Sequence, residues 1–253
     1  MIRVPGRGVA VLTFLSGLGL AVLLVAPAPP AAARNQVQKY AVLLDAEAEP
    51  DRYAAYFAER LGITVRHVFQ HALNGFAADL TPAQADLLRQ ERVVTSVDPD
   101  GVAQVRDRRA DGGGGAVLLE ELAPLATRPT RQTVPIGVAR VGATRSATAG
   151  INGRDDAFPV DIAVLDTGVD ASHPDLNVAG SVSTVGGTTG DVHGHGTHIA
   201  GVIGARDNRT GVVGVAPGAR LWSVRALDAS GVGAYTDMAA GVDWVTARAN
   251  TIK

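Results

Sequence analysis

The 253 residues contain no cysteine, which excludes disulfide bonds and thiolate metal centres, so an exported form of the chain needs another stabiliser, such as a bound metal ion. An excess of positive charge is missing as well. The 23 Lys and Arg against 25 Asp and Glu leave a formal net charge of -2, no long-range field that would draw a polyanion, and a nucleic-acid partner is excluded on that ground. Serines are present, among them Ser172, Ser181, Ser183, Ser223 and Ser230, but none stands in a Gly-x-Ser-x-Gly segment, so none is marked as a nucleophile by its neighbours. With 46% hydrophobic and 19% charged residues the chain is not disordered and can bury one sizeable core or two.

The N-terminus has Arg3 and Arg7, an apolar run from Val9 to Ala26, then prolines and Ala31 to Ala33. That is the three-part pattern of a secretory signal, with cleavage expected after Ala33, although the run is long enough to serve as an uncleaved anchor. Residues 38–100 then alternate strand and helix patterns. Lys39 to Leu44 reads as a strand, and Asp51 to Leu61 as a helix closed by Gly62. Ile63 to Leu73 and Phe76 to Leu80 read as strands joined at Asn74-Gly75, a pair suited to a tight hairpin. Thr81-Pro82-Ala83-Gln84 is a capping box with proline at the first helical position, and Val93 to Val97 closes the set. The order β-α-β-β-α-β predicts a ferredoxin-like α+β unit.

Arg106, Arg108, Arg109 and the glycines 112–115 mark an exposed linker that a protease can cut. From Arg131 onward the pattern is α/β. Val160 to Leu165 and Leu221 to Ala226 are apolar runs fit for buried parallel strands, and Thr197 to Ala205 is a helix of small residues. A second helix is capped at Thr236 and carries Met238, Val242, Val245 and Ala249 on one side. Asp166 ends the first strand at its carboxyl end, where open α/β sheets form sites. The segment Asp191-Val-His193-Gly-His195-Gly-Thr-His198 sets imidazoles among glycines where the helix begins, and glycine there permits close approach of other backbone.

Asp166-Thr-Gly-Val-Asp170 and His195-Gly-Thr-His-Ile-Ala-Gly201, in that order, resemble the aspartate and histidine motifs of the subtilisin-like serine proteases. The resemblance extends to Arg131-Gln-Thr-Val-Pro-Ile-Gly137, to Gly211-Val-Val-Gly-Val-Ala-Pro217, and to Asn74-Gly-Phe-Ala-Ala-Asp-Leu80, which is similar to the inhibitory propeptides of that family. It implies a subtilisin-like parallel sheet with flanking helices, truncated, preceded by the ferredoxin-like propeptide. The implied parts are a signal peptide at 1–33, a propeptide at 34–105, a linker at 106–130 and the front of a peptidase domain at 131–253. Asp166 would orient His195, the general base toward a serine hydroxyl, while His198 has a structural place.

The same resemblance implies a structural calcium held by Gln132, Asp175 and Asn208 with the carbonyls of Arg206, Thr210 and Val212, oxygen donors that suit a hard cation. No organic cofactor is implied. Gly231, Val232 and Gly233 would form the edge that pairs with substrate backbone, the alternative being a glycine-rich turn. The partners implied are polypeptide substrates and the chain's own propeptide as intramolecular inhibitor, in a secreted monomer with no stable membrane association after signal cleavage. The family's oxyanion asparagine and Gly-Thr-Ser nucleophile segment would lie beyond Lys253, and on this reading the chain itself is inactive.

Three alternatives compete. An aspartic protease shares Asp166-Thr-Gly but needs a second such motif or a dimer, and no second copy occurs. A zinc site of His193, His195 and His198 lacks His-Glu-x-x-His. The third is a non-catalytic inhibitor or folding module acting through the propeptide.

Overall fold

A computed structural model describes residues 36–105 and 131–252. The expected signal peptide and the linker with its arginines lie outside the described residues.

The first unit is built from β1 (Gln38–Leu44), α1 (Pro50–Leu61), β2 (Thr64–Phe69), β3 (Gly75–Leu80), α2 (Pro82–Arg89) and β4 (Val94–Pro99). Its antiparallel sheet has the order β2-β3-β1-β4, the ferredoxin-like arrangement read from the sequence. Both helices end as their residues dictate. The left-handed Gly62 (φ 63°) closes α1. At the start of α2 the Gln84 N–H donates to Thr81 Oγ1 at 3.2 Å and the Thr81 N–H to Gln84 Oε1 at 2.8 Å, the reciprocal capping pair. Tyr40, Val42, Phe57, Phe76, Leu80 and Leu88 fill the space between helices and sheet.

The expected two-residue hairpin at Asn74-Gly75 does not form. β2 stops at Phe69, and residues 70–74 make a longer connection. Gly75 is needed for closeness: a Cβ there would stand 2.1 Å from the Val42 carbonyl oxygen.

The second unit holds α3 (Ile136–Arg140), β6 (Asp161–Asp166), β7 (Val178–Ser183), α4 (His195–Gly204), β8 (Arg220–Arg225) and α5 (Tyr235–Thr246). β6, β8 and β7 form a parallel sheet in the order β6-β8-β7, with Asp166 opposite Arg225 at the carboxyl end. Val164, Val169, Leu176, Ala200 and Leu221 make its core under α4. Two short strands join the units: β5 (Val102–Gln104) runs antiparallel to β9 (Val232–Ala234).

The apolar stripe expected on α5 is not its buried face. Val242 is 45% exposed, whereas Thr236, Asp237, Gly241 and Asp243 are buried. Gly241 lies against Leu165 and Val224 of the parallel sheet, and the acidic residues face the first unit. Nor is Thr236 the cap. It lies inside the helix, and its N–H and Oγ1–H donate to Asp100 Oδ1 and Oδ2 at 3.2 and 2.5 Å. The Ala234 N–H is held by Asp237 Oδ2 at 3.2 Å. A carboxylate of the first unit therefore occupies the positive end of α5.

Candidate active site

β6 delivers Asp166 to the sheet's carboxyl edge, and α4 begins with His195. Their side chains meet: His195 Nδ1 lies 2.7 and 2.8 Å from the two Asp166 oxygens. An ionised carboxylate only accepts, so Nδ1 carries the proton and Nε2 is the free acceptor. Asp166 is buried, and the His195 side chain is one-third exposed. The carboxylate is further held by the Thr167 N–H at 2.7 Å.

Such closeness depends on Gly196. A Cβ at that position would stand 2.0 Å from the Gly168 carbonyl oxygen and 3.2 Å from Asp166 Cβ, so only glycine lets the first turn of α4 rest on the end of β6. The Gly196 N–H donates to Thr167 Oγ1 at 3.0 Å, and the Thr167 hydroxyl donates to Asp191 Oδ1 at 2.9 Å.

Asp191 is the residue that sequence reasoning passed over. The N-cap of α4 is Gly194, which has no side chain to accept the free amides. Asp191, three residues earlier, accepts the N–H groups of His193, Gly194 and Thr197 at 3.0, 2.8 and 2.9 Å, and the Thr197 hydroxyl at 2.6 Å. Burial pushes its carboxyl up, but the bonds from Thr197, Gly194 and His193 outweigh that and hold it below the usual carboxylate range. The readable signal is an acidic residue just ahead of a glycine-started helix.

His193 lies beside the pair, its ring centroid 6.3 Å from that of His195 at 71°. His198 sits on the first turns of α4, where its N–H donates to the Gly194 carbonyl at 3.1 Å, and its side chain is turned to the surface. Among the described residues no three His, Cys, Asp or Glu side chains converge as metal ligands, so the three-histidine zinc site is not assembled. No serine hydroxyl among the described residues bonds to His195. Ser172 Oγ donates to Asp170 and Ser183 Oγ to the Gly186 carbonyl, while Ser223 Oγ is buried without a partner.

Gly231, Val232 and Gly233 lie along an edge that the chain's own tail already occupies. Val102, Ala103 and Gln104 pair with Ala234, Gly233 and Val232, and the Val105 N–H donates to the Gly231 carbonyl at 2.9 Å. A Cβ on Gly233 would stand 2.1 Å from the Ala226 carbonyl oxygen, so glycine lets this edge lie close to the end of β8.

The six residues expected to hold calcium are linked by hydrogen bonds around the chain that follows α4. Gln132 Nε2 donates to the Arg206 and Val212 carbonyls at 2.6 and 3.1 Å, and Asn208 Nδ2 to Asp175 Oδ1 at 2.8 Å. The Thr210 N–H donates to Asn208 Oδ1 at 3.0 Å. Gly211 borders the group: a Cβ there would stand 2.9 Å from Asp175 Oδ2.

An acid–imidazole pair thus lies at the carboxyl edge of a parallel α/β sheet, and the edge β9 is filled by the chain's own upstream strand. The family follows from comparison with known proteins. The chain carries a subtilase domain and an inhibitor domain: residues 159–253 match the Subtilase family and residues 28–106 the Peptidase inhibitor I9 family. An alkaline protease of Alkalihalobacillus alcalophilus is 35% identical over 188 residues, 74% of this chain and 42% of the relative. Subtilisin Savinase of Lederbergia lenta is 47% identical over 115 residues, 45% of this chain and 41% of the relative. Subtilisin E of Bacillus subtilis (strain 168) is 43% identical over 116 residues, 45% of this chain and 29% of the relative. The chain thus spans less than half the length of these relatives.

Proposed function

We propose that this chain is the front part of a secreted subtilisin-like serine endopeptidase zymogen, with Asp166 and His195 as two members of its triad. The observation that carries the reading is the Asp166–His195 pair, with Nδ1 held by the carboxylate and Nε2 left free. In that geometry Nε2 accepts the proton of an attacking hydroxyl and returns it to the leaving amine, while Asp166 stabilises the imidazolium. The 253 residues contain no Gly-Thr-Ser segment, so on this reading they do not supply the nucleophile. By itself the chain is expected to turn over no peptide, because without a nucleophilic serine no acyl-enzyme forms, and loss of one oxyanion donor costs about a further 100- to 1,000-fold. Assaying the 253-residue chain on a generic peptide substrate tests this, and turnover abolished by a serine-protease inhibitor would refute it.

The parts follow the same plan: signal at 1–33, propeptide at 34–105, linker at 106–130, peptidase portion from 131. The propeptide acts as inhibitor by β-augmentation, β5 taking the place of a polypeptide substrate along Gly231, Val232 and Gly233. Three backbone amides of the connection after β2 support that role. The N–H groups of Gln70, His71 and Ala72 donate to Asp243 Oδ1 of α5 at 3.1, 2.6 and 2.8 Å. The mature protein is a secreted monomer without stable membrane association. Among the described residues no helix is long and apolar enough to cross a membrane.

Calcium fits the cluster around Asp175. Asp175, Gln132 and Asn208, with the carbonyls of Arg206, Thr210 and Val212, would hold the ion, the Gln132 amide turning its oxygen toward it. A bound ion there supplies only stability, which a chain without disulfides needs.

A further inference from the structure

The loop between β7 and α4 has no buried side chain at its tip, and a buried arginine holds it instead. Gly186, Gly187, Thr188 and Thr189 are all exposed, so no apolar anchor fixes the segment that leads into Asp191 and the start of α4. Arg225, by contrast, ends the central strand β8 between Asp166 of β6 and Ser183 of β7, and it is only 7% exposed. Burying a guanidinium is costly unless its donors are used. Among the described residues its side-chain bonds go to carbonyls and not to a carboxylate. Nη1 donates to the Thr188 carbonyl at 2.7 Å and Nε to that of Leu227 at 3.4 Å. The Arg225 carbonyl in turn accepts the Thr184 N–H at 2.9 Å. One residue therefore clasps the loop at both ends.

We propose that Arg225 is a positioning residue for His195, acting through this loop and Asp191. The proposal rests on the reading of Asp166 and His195 as a catalytic pair. The connection runs bond by bond. Arg225 fixes the Thr188 carbonyl, and the Thr188 hydroxyl accepts the Gly190 N–H at 3.1 Å. Gly190 and Asp191 rest on the turn after β6, where a Cβ on Gly168 would stand 2.9 Å from the Gly190 carbonyl and 3.0 Å from the Asp191 nitrogen. Asp191 then accepts three amides and a hydroxyl around the start of α4, where His195 stands. A second contact reaches the other partner. Leu227, whose carbonyl takes the Arg225 Nε–H, donates its own N–H to the Asp166 carbonyl at 3.1 Å. Among the described residues no bond joins the guanidinium to either side chain of the pair, so its part is geometric: it sets where the imidazole stands and moves no proton.

The test uses the full 253-residue chain and follows the Nδ1–H of His195 by NMR, together with amide exchange at Gly194 and Thr197. Arg225→Met keeps an apolar stem and removes the donors. It is expected to speed exchange at these three sites by about tenfold or more, because a hydrogen bond from a charged group contributes enough for that factor. The Arg220 and Leu221 amides, bonded to the Val160 and Asn177 carbonyls, should stay protected. Arg225→Lys, which offers a single ammonium to the Thr188 carbonyl, should recover part of the loss. Asp191→Ala should act like Arg225→Met, and the double variant should do no more than the larger single one, since the two residues act in series. Unchanged His195 Nδ1–H exchange in a folded Arg225→Met, or effects of the two variants that add in full, overturns the proposal. Where Arg225→Met does not fold, Thr188→Ala decides: it cuts the next bond of the chain, to Gly190, and unchanged exchange at Gly194, Thr197 and His195 there counts against the proposal just as firmly. The reading of the catalytic pair fails separately, if wild-type His195 carries no proton on Nδ1, whatever Arg225→Met does to the Gly194 and Thr197 amides.

Discussion

Two residues with almost no side chain between them decide whether the candidate site exists. Gly196 permits the contact of α4 with β6, and replacing it by alanine forces Cβ into the Gly168 carbonyl oxygen. Gly196→Ala is expected to cost about 1–3 kcal/mol, as overpacking does, and to part His195 from Asp166. The readout is the Nδ1–H resonance of His195, which should move upfield and exchange faster than in the wild type. Asp191 does for Gly194 what a capping side chain would. Its removal in Asp191→Ala should cost about 1–2 kcal/mol. The pH signature is specific. An unfolded aspartate titrates near about 3.9, and the folded Asp191 sits below the usual range. Its contribution is therefore complete above about pH 4 and lost as the pH falls through the folded value. Thermal melts between pH 3 and pH 6 should show a steeper acid loss in the wild type than in the alanine variant.

Elements were legible where local rules govern them and illegible where a distant partner does. Thr81 with Gln84 and the terminal Gly62 act within one turn, and both helix boundaries of the first unit follow. The strand expected through Leu73 ends at Phe69 because Asp243, more than 170 positions away in sequence, takes the amides of Gln70, His71 and Ala72. No local pattern announces that. α5 misled for a related reason: it is wedged between the parallel sheet and β2, so its buried face carries carboxylates with partners instead of aliphatic side chains. β7 went unread because Val178–Ser183 has few apolar residues to mark it. The contact of Asp166 with His195 was implied by the resemblance of their two motifs, and the strand end and glycine-flanked helix start that carry those motifs are local features. The docking of α5 is testable in itself. Asp243→Ala leaves three amides without their charged acceptor and is expected to weaken the contact by about 2–3 kcal/mol. Hydrogen exchange at residues 70–72 should rise, while exchange in the core of the first unit, around Phe57 and Leu88, stays unchanged.

Among the described residues, carboxylates tie the two units together. Asp237 illustrates the balance. Burial pushes its carboxyl up, but hydrogen bonds from His67 and Lys39 of the first unit and from the Ala234 amide bring it below the usual range. By the same sign, this contribution to docking is present above about pH 4 and lost as the pH falls through the folded value. Asp237→Asn should flatten the acid dependence of docking, read from the protection of the Val105 amide. Calcium would act on the other half. At a hundredfold excess over Kd an ion bound to the folded state alone adds about 2.7 kcal/mol, or about 5–10 °C in Tm for a domain of this size. The rise should vanish with chelator and in Asp175→Asn.

The claim beneath all of this is that a buried carboxylate holds one nitrogen of an imidazole and leaves the other free. Nitrogen-15 NMR of the histidine rings in the intact chain measures it directly. His195 is expected as the Nδ1–H tautomer, with its proton protected from exchange, and Asp166→Asn should abolish that preference. A His195 ring protonated at Nε2, or one indifferent to Asp166→Asn, would contradict the account.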